Sequence, residues 1–60
     1  MDSTVILRST ILSALKKDKA FGSVVAAEAK KGAHFSETDI ALTDKNNETE
    51  VYRMILVKRV

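Results

Sequence analysis

His34 is the side chain in this 60-residue sequence best suited to moving protons, with Ser36 two positions on and Asp39 three beyond that. A histidine base needs a nucleophile or an acid within hydrogen-bond reach. In an extended segment His34 and Ser36 share a face while Asp39 points the other way, so these three do not form a relay. The carboxylate pairs Glu37/Asp39 and Glu48/Glu50 each share a face if their segments are strands, which suits weak attraction of a hard cation. The chain lacks the Asp/Asn loop with a central glycine that a calcium site requires. There is no cysteine, and a single histidine cannot assemble a zinc or iron centre. The two glycines, Gly22 and Gly32, are too far apart for a phosphate-cradling loop.

Size argues the same way. A domain this small buries only about 60% of the surface its unfolded chain exposes, so its stability margin is thin. A substrate cavity of about 300 Å³ would displace much of the available core. The expectation is a non-enzymatic protein with no metal, no cofactor and no small-molecule substrate, whose residues 1–60 form one small domain. Without disulfides or metal to reinforce it, association is the remaining common source of buried area.

The absence of cysteine fits a reducing compartment. Arg8 interrupts the apolar run that begins at Val5, so the N-terminus reads as mature structure rather than as a signal peptide. No apolar run approaches the ~20 residues of a membrane span. A cytoplasmic location without membrane contact is expected. Net charge is +2, but the charges are segregated along the chain. Lys16, Lys17, Lys19, Lys30 and Lys31 make the first half basic, Glu37, Asp39, Asp44, Glu48 and Glu50 make the middle acidic, and Arg53, Lys58 and Arg59 make the end basic again. Such segregation steers packing, dimer formation or a charged partner.

The elements that must carry these groups come from periodicity. A first helix is predicted from a Ser3 or Asp2 cap to about Lys17, with Leu7, Ile11, Ala14 and Leu15 on one stripe that Val5 and Leu12 widen. Arg8 falls inside that stripe and is tolerable there if its stem lies along the core edge. A short strand at Thr4–Leu7 is the alternative for that stretch. Asp18-Lys19-Ala20 reads as a turn, followed by a second helix from about Ala20 to Lys31 with Gly32 as its stop. On that helix Gly22, Ala26, Ala29 and Ala33 line up as a face of small side chains, with Phe21, Val24 and Val25 beside it, open to close packing against helix one or a second copy.

Beyond Ala33, Phe35–Thr43 and Thr49–Lys58 read as strands joined by a turn at Asp44-Lys45-Asn46-Asn47-Glu48, whose Asp and Asn residues tolerate positive φ. The expected fold is therefore α+β, two N-terminal helices packed on a C-terminal antiparallel β-hairpin. Met54 to Val57 is apolar on both faces, so one face would meet the helices and the other a partner. The alternative is all-α. The spacing of Asp39-Ile40-Ala41 and Val51-Tyr52-Arg53 resembles that of helix-turn-helix DNA-binding units over about 17 residues, although Asp44, Lys45 and Asn46 stand where such units place a small residue, a glycine and an apolar residue.

The function expected from these features is that of a small protein-binding module of adaptor or inhibitor type, working through the hairpin edge and apolar face and self-associating as a homodimer. Tyr52, Met54, Ile55 and Leu56 would supply contact area, while Arg53 and Arg59 set orientation. The alternative function is a DNA-binding transcriptional regulator, with Lys16, Lys17, Lys19, Lys30, Lys31, Arg53, Lys58 and Arg59 contacting nucleic-acid phosphate.

Overall fold

A computed structural model describes residues 3–59. A helix, α1 (Ser3–Lys17), is followed by three strands, β1 (Phe21–Lys31), β2 (Phe35–Asp44) and β3 (Thr49–Val57). They form an antiparallel sheet in the order β1-β2-β3, with β2 central and both neighbours as edges. The architecture is α+β, one helix laid on one sheet, in a body measuring 41 × 18 × 15 Å.

The expected second helix is a strand. Residues 21–31 pair with β2 over most of their length, from Phe21 opposite Asp44 to Lys31 opposite Ser36. Ala and Lys are good helix formers, but propensity is a weak prior that tertiary context overrides, and here a third strand stabilises a hairpin that is marginal alone. The small-residue stripe dissolves accordingly. Gly22 and Ala29 fall at two register irregularities of β1, whereas Ala26 pairs with Ile40 inside the sheet. The helix-turn-helix alternative fails too, because Phe35–Asp44 and Thr49–Val57 are the paired strands β2 and β3.

The hairpin and its turn lie where the Asp/Asn cluster placed them. Asp44 Oδ1 accepts the backbone N–H groups of Asn46 (2.8 Å) and Glu48 (3.0 Å). Asn47 adopts the left-handed conformation at φ 62°, which its short polar side chain tolerates. The Asp18 turn also forms, with Asp18 Oδ1 accepting the Ala20 N–H at 2.9 Å, but it leads into a strand. At the other end of the sheet the Phe35 ring lies where a Cβ on residue 32 would stand, so any larger residue than Gly32 would have to displace that ring.

The helix spans Ser3–Lys17, with the end at Lys17 as expected; Ser3 is its first residue rather than its cap, and the Asp2 option lies outside the described residues. It does not bury the expected stripe. Thr4 and Leu12 are buried and Arg8, Ile11 and Leu15 half-buried, whereas Leu7 and Ala14 are exposed. Facing them, β2 presents Ser36, Thr38 and Ile40, all buried. The reason is a polar contact inside the interface, in which Arg8 Nε donates to Thr38 Oγ1 at 2.8 Å. Thr38 is 0% exposed, and an unmatched buried hydroxyl would cost about 1–3 kcal/mol, comparable with leaving Leu7 in water. Arg8 thus packs its stem along the core edge and satisfies the sheet beneath it.

Candidate interaction surface

Strand alternation divides the sheet into two faces. Val24, Ala26, Ser36, Thr38, Ile40, Leu42, Met54 and Leu56 turn toward α1 by register. The opposite face is built from Val25 and Ala27 on β1, Phe35, Glu37, Asp39, Ala41 and Thr43 on β2, and Val51, Arg53, Ile55 and Val57 on β3. No described element lies over it. Val25, Val51 and Val57 are more than three-fifths exposed, Val51 most of all at 71%.

A charged cluster crosses this open face. Arg53 Nε donates to Asp39 Oδ1 at 2.8 Å, and a second guanidinium nitrogen lies 3.9 Å from Glu37 Oε2. The Arg53 hydrogen bond holds the Asp39 carboxyl below its ordinary pKa. The same bond raises the Arg53 guanidinium. At one end of the face the ammonium of Lys30 stands 5.9 Å from the centre of the Phe35 ring, a cation–π distance.

The six residues expected to bind a partner are therefore split. Arg53 and Ile55 lie on the open face, while Tyr52, Met54 and Leu56 point to the helix side and Arg59 lies beyond β3. Tyr52 stays half exposed because it stands near the turn end of the sheet. There it lines a shallow pocket of about 230 Å³ with Phe21, Leu42, Asp44, Glu48 and Glu50. Its hydroxyl donates to Glu50, and this bond raises the phenol above its ordinary pKa. Val25, absent from the expected set because residues 20–31 read as helix, joins the face only once β1 is extended.

The cationic residues also redistribute. Lys30 and Lys31 end a strand, not a helix, and the strand order brings them to the end of the sheet where β3 finishes. Lys58 donates its backbone N–H to the His34 carbonyl at 2.8 Å, so Lys30, Lys31, Lys58 and Arg59 share one pole. Lys16, Lys17 and Lys19 lie toward the other pole, beside the turn into β1. His34 is exposed in the β1–β2 turn, apart from the Asp39 cluster. Among the described residues no group of three or more His, Asp or Glu side chains is placed to hold a metal ion. None of the described helices is long and apolar enough to cross a membrane. Comparison with protein-family models, curated proteins and solved structures finds no match to this chain.

Proposed function

We propose that this chain is a protein-binding module whose working surface is the open face of the sheet. The observation that carries this reading is the row of uncovered aliphatic side chains, Val25, Val51, Ile55 and Val57, on a face that no described element covers. The aliphatic side chains stand to either side of the Arg53–Asp39 pair, and exposed apolar area of this kind on a sheet face marks a contact surface. The β3 edge adjoins the strip, and its free backbone groups give an extended partner a second means of attachment. Binding is the role proposed, since the pocket beside Tyr52 is shallow and open and the exposed area lies on the sheet face.

A photoreactive residue in place of Val51 or Ile55 tests this in cells. Protein adducts are expected at both positions and not at Ser13 on the outer side of the helix. Absence of adducts at 51 and 55, or equal adducts at 13, would remove the open face as the working surface.

The shared pole of Lys30, Lys31, Lys58 and Arg59 supports a second reading, contact with nucleic-acid phosphate. It calls for titration of duplex DNA and single-stranded RNA at two salt concentrations. Binding that weakens steeply with salt and drops at least tenfold in a Lys31→Glu/Lys58→Glu variant would support it. Salt-insensitive or absent binding would eliminate it.

A further inference from the structure

Resting on that reading, we infer that the occupant of the open face is a second copy of this chain, seated face to face so that two sheets stack between two outer helices. Three observations converge on this occupant.

The first is area. The chain exposes 4540 Å², whereas a folded monomer of its 6.6 kDa mass exposes about 3,900 Å². Among the described residues only Leu12 and Ile40 are buried apolar side chains. A chain so sparsely buried needs cover in order to persist as a folded species, and the partner guaranteed to be present wherever the chain is present is the chain itself. The size of the face is adequate for this. Three strands about 4.8 Å apart and about 30 Å long offer roughly 430 Å² in projection. Two such faces remove on the order of 1,000 Å² of accessible surface, the size at which specific interfaces begin.

The second is charge. The face carries both signs, Arg53 against Glu37 and Asp39. A two-fold interface sets a patch against itself, and a patch holding both signs can be self-complementary where a patch of one sign repels. Glu37 is only loosely engaged by its own Arg53, at 3.9 Å, which leaves it available to Arg53 of the other copy.

The third is shape. The exposed aliphatic residues stand on alternate positions of β3, Val51, Ile55 and Val57, with Val25 across on the opposite edge strand. Such rows interdigitate in aligned sheet packing, in which two sheets lie about 10 Å apart and twist about 30° relative to each other.

Sedimentation equilibrium from micromolar to millimolar concentration, combined with filtered NOE spectra on a mixture of labelled and unlabelled wild-type chain, tests the inference. The expected result is a mass twice 6.6 kDa at the upper concentrations, with intermolecular NOEs among the methyls of Val25, Val51, Ile55 and Val57. The Ile55→Lys variant is expected to weaken association at least tenfold. If that variant fails to fold, the wild-type NOE pattern decides. A wild-type chain that stays at 6.6 kDa throughout would overturn the second copy as occupant. So would intermolecular NOEs confined to Ile6 and Leu7 of the helix. Adducts from residues 51 and 55 to a different protein, with the purified chain monomeric, would overturn this inference while leaving the protein-binding reading intact.

Discussion

The two faces of the sheet are made from the same three strands and differ in what lies over them. On one, Ile40 is 4% exposed beneath α1, and the buried hydroxyl of Thr38 is matched by Arg8. On the other, aliphatic side chains of similar size stand in solvent around an ion pair. A face completed within the chain carries its polar groups as matched, buried contacts. The face left open carries its polar groups as an exposed pair set among apolar side chains. The contrast shows that, of the two apolar faces of the last strand, one is turned toward α1 and the other is left exposed among the described residues.

The comparison can be broken most forcefully at the covered face. Leu12→Ala and Ile40→Ala are each expected to cost about 2–5 kcal/mol, enough to unfold much of the population of so small a chain, and the cost should be independent of protein concentration in denaturant melts. Ile55→Ala on the open face is expected to behave differently, costing little in dilute solution and more as concentration rises. Equal, concentration-independent costs at 40 and 55 would erase the distinction between the faces.

A smaller effect is expected from Thr38→Val, which keeps the shape beneath the helix but removes the acceptor for Arg8. The expected loss is about 1–2 kcal/mol, read by chemical denaturation, and much of it should return in the Arg8→Met/Thr38→Val double variant, in which neither partner is left unmatched. A double variant no better than the single one would show that the contact does not hold the helix in its rotation.

The open face has its own pH signature. Asp39 is held below its ordinary pKa of 3.8 by Arg53, so its contribution to stability is fully present above that value and is lost as pH falls through the lowered folded value. Acid unfolding midpoints should therefore move to higher pH in Asp39→Asn, by a modest amount because the pair is exposed. An unchanged midpoint would show the pair to be energetically silent.

The smallest expected effect lies at the turn end of the sheet. Tyr52 is the single tyrosine of the chain, so absorbance near 295 nm reports it alone. Its midpoint should lie above the ordinary 10.0 and fall back toward it in Glu50→Gln. A wild-type midpoint at the ordinary value would show that Glu50 does not engage the phenol.

Much of this contrast was legible in the residues. The Asp44–Glu48 turn is written in side chains that bond their own backbone, and the two-sided apolar run from Met54 to Val57 announced both a covered and an open face. β1 was not legible, since Ala26, Ala27, Ala29, Lys30 and Lys31 prefer helix locally, and what makes them extended is the backbone ladder of β2, a long-range interaction. Val25 was lost from the open face for the same reason. The helix existed where expected, but its rotation did not follow its apolar residues, because Thr4 and Arg8 reach the sheet and Leu7 does not. The buried Thr38 beneath the helix accounts for the place of Arg8, and pairing of residues 30 positions apart leaves no local signal.

Ile6 on the helix and Ile55 on the open face provide the most direct test, since the isolated chain exposes them to similar extents, 47% and 55%. Methyl relaxation by a soluble paramagnetic agent, measured on wild-type chain at millimolar concentration, should broaden Ile6 strongly and leave Ile55 shielded, with the shielding disappearing on dilution. Equal broadening of both methyls at every concentration would contradict occupation of the open face by a second copy.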